Sequence, residues 1–126
     1  MLSTLFLGCL PASRAAVASR PGMLLVQEGD ASYYADAFEG RRTASGETFS
    51  QSERTAAHRT YPFGTILRVT NLKSGQSTEV RVNDRGPFKE TRVLDVSRRA
   101  AEEIGLTRDG VARVRIEVLA WGDPGS

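Results

Sequence analysis

The sequence predicts a mainly β domain, a small closed barrel of six short strands with one short α-helix. Three observations carry this reading. Short stretches of strand-like alternation recur between turn signals, at least six of them within roughly ninety residues. Only one stretch carries a helix start, an apolar face and a stop. Strands this short would leave many unpaired edges in an open sheet, and closure removes them.

The elements follow in order from Gly29. Ala31 to Ala35 forms a short aromatic strand, and Asp36 to Arg42 a charged loop. Ser45-Gly46 marks a turn that presents Glu47 at the start of another extended piece. Thr55 to His58 is small and β-tolerant, and Tyr61-Pro62-Phe63-Gly64 makes a corner. Thr65 to Asn71 and Ser77 to Asn83 pair as a hairpin across Lys73-Ser74-Gly75-Gln76. Arg92 to Val96 is a short buried strand. Ser97 caps a helix over Arg98 to Ile104, with Ala100, Ala101 and Ile104 inward and Gly105 stopping it. In the last strand, Arg113 to Leu119, Val114, Ile116 and Val118 face one way and the charged residues the other.

With 126 residues the chain suits one core, not two. A hydrophobic content of 40% and a charged content of 25% are those of a soluble globular protein. The formal charge is only +2 and the basic residues are scattered, so nothing points to a nucleic-acid partner. With one cysteine, Cys9, and one histidine, His58, the chain can form no internal disulfide and no metal site built from several His or Cys ligands. No cofactor is expected, and a monomer is.

Residues 1–18 combine an apolar run with an Ala-rich stretch too short to span a membrane, and read as an export signal. Ala16-Val17-Ala18 fits a cleavage site, whereas Phe6-Leu7-Gly8-Cys9 resembles a lipobox whose cysteine would be lipidated. Residues 19–28 would then be a linker, 29–120 the barrel domain and 121–126 a Gly- and Pro-containing tail.

Chemistry concentrates at Val80 to Phe88, VRVNDRGPF, where a strand runs into an Asn-Asp-Arg-Gly-Pro corner. Val80 and Val82 share one face of it, and Glu79, Arg81 and Asn83 the other. Asp84 is thereby placed at the mouth of the sheet, either closing the turn or doing chemistry. Glu47 and His58 are the other polar side chains beside turns at strand ends.

In order, ASYYADAFEGRRTASGETF, TAAHRTYPFGTILRVTNLKSG, VRVNDRGPF, RVLDVSRRAAEEIG and ARVRIEVL resemble the rare lipoprotein A family of the bacterial cell envelope. The resemblance implies a double-psi β-barrel acting on peptidoglycan as an endolytic lytic transglycosylase, exported to the periplasm or envelope, with possible attachment through a lipid on Cys9. It places the family's functional positions on Glu47, His58 and Asp84. One departure is Ser50, where family members often carry an acid. Such an enzyme protonates the bridging oxygen of the β-(1,4) bond between N-acetylmuramic acid and N-acetylglucosamine, and the muramic sugar's own hydroxyl closes a 1,6-anhydro ring, so one carboxyl can serve as acid and then base. Asp84 is the favoured donor, with Glu47 as its negative neighbour and His58 orienting it or binding a sugar hydroxyl. Arg85 is expected to turn away or to hold substrate or backbone. Tyr33, Tyr34 and Phe88 are candidate platforms for sugar faces. The alternative is an expansin-like wall-binding module that cuts nothing.

Overall fold

The computed structural model describes residues 25–125. The signal reading, the lipidation candidate Cys9 and most of the linker lie outside those residues.

Six strands close into a barrel in the order β1-β5-β2-β4-β3-β6. They are β1 (Val26–Tyr33), β2 (Thr55–Ala57), β3 (Ile66–Asn71), β4 (Ser77–Asp84), β5 (Arg92–Val96) and β6 (Ala112–Ala120). β1 runs parallel to β5 and β2 parallel to β4, while the remaining neighbours are antiparallel. Alternation puts Leu67, Val69, Val80, Val82, Leu94, Val96, Val114 and Ile116 inside, each at most 2% exposed. Ala100, Ala101, Ile104 and Leu106 close one flank of this core, all fully buried.

The helix expected after Ser97 is α1 (Arg98–Glu103), with the Ser97 hydroxyl accepting from the Ala100 N–H at 3.4 Å. Gly105, at φ 74°, ends it and opens a second helix that periodicity did not indicate, α2 (Leu106–Asp109). The β3–β4 hairpin is tied to this region by Asn71. Its fully buried amide accepts from Lys73 N at 2.9 Å and donates to the Ile104 carbonyl at 2.8 Å.

Two boundaries differ from the sequence reading. β1 starts at Val26, inside the expected linker, because Val26, Gln27 and Glu28 pair with Glu117, Ile116 and Arg115 of β6. The tail begins as part of the domain. Trp121 meets Tyr61 edge-on at 5.3 Å, and a Cβ on Gly122 would lie 2.1 Å from the Phe63 carbonyl oxygen, so only glycine fits there. Among the described residues no helix is long and apolar enough to cross a membrane.

Candidate active site

The site begins where β4 ends. The β2–β4 register shifts between Ala56 and Ala57, so Asp84 turns to the barrel mouth instead of following Val80 and Val82 into the core. Gly86, at φ 132°, then takes a conformation that side chains rarely adopt and swings the chain away.

Three hydrogens converge on the Asp84 carboxylate. The Tyr34 hydroxyl donates to Oδ2 at 2.6 Å, and the backbone N–H groups of Ala44 and Arg85 donate to Oδ1, each at 2.9 Å. Tyr34 is itself fixed, stacked on Phe49 at 4.2 Å with the edge of Phe38 5.7 Å away. Burial first, then the hydrogen bond and charge of Asp84, push its phenol far above the ordinary value, so it stays a protonated donor. Phe49 already covers one face of this ring, which leaves the hydroxyl as its main contribution to the site.

Asp84 lines a cleft of about 440 Å³ together with Asp95, a residue that sequence reasoning had placed only as part of a strand. Ala57 pairs with Asp84 on one side and Asp95 on the other, so the two carboxylates stand on strands flanking β2. Two strand spacings separate their backbones, about 9–10 Å. Asp95 Oδ1 accepts from the Ser32 hydroxyl at 2.7 Å and from Arg92 Nε at 3.3 Å. Its Oδ2 meets no donor among the described residues. Phe88, 88% exposed, and Phe38, 45% exposed, also line this cleft.

A larger depression of about 630 Å³ lies near the outer face of β4, beside Arg54, Thr78, Arg81 and Glu103. Arg54 already grips Glu103 at 2.8 Å through two nitrogens, and Thr78 donates to the same carboxylate at 2.5 Å. With its charges spent on one another, it is a weaker candidate than the cleft holding two carboxylates.

Glu47 and His58 adjoin the site without entering the cleft. Glu47 is gripped by Arg81 at 2.6 and 3.0 Å and receives the Asn83 amide at 3.2 Å. The Arg81 hydrogen bonds hold its carboxyl below the ordinary range, so it stays ionised and paired with a cation. His58 reaches Asp84 only through the backbone, its N–H meeting the Asp84 carbonyl at 3.2 Å. Its ring lies flat on Tyr61 at 3.6 Å. Nδ1 accepts from Thr60 N and Tyr61 N, both at 3.1 Å, which fixes the proton on Nε2 and makes that nitrogen the donor to Gln27 Oε1 at 3.1 Å.

Arg85 turns to backbone. Its Nη1 donates to the carbonyls of Tyr61 at 2.8 Å and His58 at 3.3 Å, and its guanidinium covers Phe63 at 4.0 Å. Tyr33 packs against the core beneath Arg98, whose guanidinium lies 5.5 Å from the ring centre, and reaches the cleft at its edge.

The His58 environment has a measurable consequence for stability. Burial, then the charges of Arg59 and Arg85, lower its pKa from 6.5 to about 4. Between those values the unfolded chain binds a proton that the folded protein refuses, so stability is complete above pH 6.5 and declines as pH falls toward 4. The loss amounts to about 3 kcal/mol by linkage. Thermal denaturation at pH 7, 6, 5 and 4.5 is expected to show this decline in the wild type and a flatter profile in His58→Gln. Equal slopes for the two proteins would contradict it. The acid groups held by arginine, Glu47 and Glu103, sit below their ordinary 4.5, so their share is lost as pH falls through 4.5, in the lower part of this window, and equally in the wild type and His58→Gln.

Sequence reasoning missed Asp95, Ser32 and Phe38. The signal for Asp95 was there: a lone carboxylate in Val-Leu-Asp-Val, between two residues whose alternation sends them inward. Ser32 and Phe38 carried no local signal, since what marks them is a neighbour far along the chain. Among the described residues no three His, Cys, Asp or Glu side chains are grouped to hold a metal ion.

Comparison with known proteins matches residues 26–116 to a family described as lytic transglycolase. A protein of Synechocystis named probable endolytic peptidoglycan transglycosylase RlpA is 53% identical over 94 residues, covering 75% of this chain and 29% of its own. The Campylobacter jejuni endolytic peptidoglycan transglycosylase RlpA is 48% identical over 99 residues, 79% of this chain and 36% of its own. The chain thus spans about a third of the length of the curated relatives it matches. Among solved structures, an expansin of Clavibacter michiganensis superposes with a TM-score of 0.60 at 21% identity, covering 81% of this chain and 53% of that one. A Streptomyces papain inhibitor does so at 0.61 and 21%, covering 75% of this chain and 94% of that one. At such identity these two likenesses concern the fold alone.

Proposed function

Because the chain belongs to the lytic transglycolase family of double-psi β-barrels, we propose that it is an endolytic peptidoglycan lytic transglycosylase, cutting the β-(1,4) bond between N-acetylmuramic acid and N-acetylglucosamine and leaving 1,6-anhydro ends. The observation that carries this is the pair of carboxylates in one open cleft, one held by three donors and the other with an uncommitted oxygen.

Each carboxylate suits a different task. Asp84, fed by three hydrogens, is built to remain an acceptor with a fixed direction, so its charge can stabilise the positive character that develops at the anomeric carbon. Asp95 Oδ2 is free to carry the proton that the bridging oxygen takes up. After the bond breaks, the Asp95 carboxylate takes the proton from the C6 hydroxyl of the muramic sugar as that oxygen closes on the anomeric carbon. The proton lost is regained, and no water is consumed. Phe88 and Phe38, open to solvent, offer ring faces to the sugars on the two sides of the cut. Tyr33 borders the same surface. Arg85 shapes the corner through the carbonyls it holds, and His58 supports the turn that supplies those carbonyls.

Export to the cell envelope follows from this substrate, and a lipid on Cys9 would hold the domain at the membrane. The second reading is a wall-binding module that does not cut, favoured by Ser50, whose hydroxyl bonds only its neighbour Ser52, at 2.8 Å, where relatives often place an acid. Purified sacculi separate the two. Soluble glycan fragments released by the wild type support cutting, whereas protein that sediments with the sacculi and releases nothing supports the binding module.

A further inference from the structure

Glu47 lies in a small hairpin over residues 42–48, closed by a bridge between Arg42 and Thr48. Its tip is tightly wound. Thr43 N donates to the Glu47 carbonyl at 2.8 Å, Gly46 N to the Thr43 carbonyl at 2.9 Å, and Gly46 takes φ 94°. This tip docks on the end of β4 at three successive places. Glu47 meets Arg81 and Asn83, Ser45 N donates to the Asn83 carbonyl at 3.3 Å, and Ala44 N donates to Asp84 Oδ1 at 2.9 Å. The strongest of the three is the two-pronged ion pair with Arg81, since bidentate charged contacts fix both distance and direction.

We infer that Glu47 is a positioning residue: its fork to Arg81 and its bond from Asn83 pin the hairpin so that the Ala44 N–H reaches Asp84. It touches neither substrate nor the reacting atoms. Among the described residues the Ala44 N–H is one of three donors that orient the Asp84 carboxylate, and it comes from a loop, whereas the Arg85 N–H is adjacent in sequence and needs no such support. Asn83 is 2% exposed and its Oδ1 has no partner among the described residues, so it can turn to accept from a cation as readily as it now donates to an anion. The arrangement should therefore tolerate reversal of its charges.

The activity arm of this inference rests on the function proposed above, and the test is built to separate the two. Glu47→Arg, Arg81→Glu and the double substitution are compared with the wild type in turnover of purified glycan strands and in amide hydrogen exchange at Ala44. Each single variant is expected to lose roughly tenfold in kcat with KM little changed, and to exchange the Ala44 proton faster. The double variant should recover both. Arg81→Met tests the pin from the partner's side should Glu47→Arg fail to fold. Arg115→Ala, which breaks the ion pair with Glu28 between β6 and β1, should leave kcat and Ala44 exchange unchanged. Single variants with full activity and a protected Ala44 would overturn the inference, as would a double variant that regains Ala44 protection but stays inactive. An inactive wild type whose Ala44 exchange still follows the charge pair would overturn the proposed activity and leave the pin standing.

Discussion

Asp95→Asn is expected to slow the cutting of intact glycan strands by about 10²–10⁴-fold, the range for loss of a general acid. The reason lies in the uneven use of its oxygens. Ser32 and Arg92 occupy Oδ1, and an asparagine can keep those contacts through its own carbonyl oxygen, but it has no proton to give from the other position. The fold should survive, since Asp95 faces the cleft and its strand neighbours Leu94 and Val96 carry the packing. The diagnostic readout is the leaving group. With a nitrophenyl glycoside of N-acetylmuramic acid, whose departing phenolate needs no protonation, the variant should retain far more of the wild-type rate than it does on glycan. Equal losses in kcat/KM on both substrates, which reports bond cleavage and not the later proton uptake by residue 95, would remove the acid role from Asp95.

Asp84→Asn is expected to fail on both substrates, by roughly 10²–10³-fold, because it removes the fixed charge that answers the developing cation whatever the leaving group. An amide also accepts fewer hydrogens. One of the donors now meeting the carboxylate, Tyr34 Oη or the pair of backbone N–H groups, would face an NH₂ instead of an oxygen. Tyr34→Phe separates charge from orientation, since it leaves the anion and removes one of its three donors; a loss of about tenfold is expected. An Asp84→Asn variant that keeps its rate on the nitrophenyl substrate would exchange the roles of the two aspartates.

The barrel was legible because its strands are built on local alternation. Val114, Ile116 and Val118 announce an inward face, and the Lys73 to Gln76 turn announces the β3–β4 hairpin, before any long-range contact is known. The cap at Ser97 was equally local. What stayed hidden depends on partners distant in the chain. β1 begins at Val26 only because β6, some ninety residues later, pairs with it. The second helix spans four residues, too few to show a period. The corner at Asp84 was readable from its turn residues, but the partners of Glu47 and His58 were not: Arg81 lies 34 positions from Glu47, and Gln27 lies 31 from His58. Residue type suggested that all three polar groups share one groove. In the fold Glu47 bonds to Arg81 and Asn83, His58 bonds to Gln27 and its own turn, and Asp95 shares the cleft with Asp84.

The step that sets this chemistry apart from hydrolysis is attack by the sugar's own hydroxyl. Glycan strands digested by the wild type in H₂¹⁸O and examined by mass spectrometry are expected to yield muramic ends one water lighter than a reducing sugar and without the heavy isotope. Reducing ends carrying ¹⁸O would contradict it.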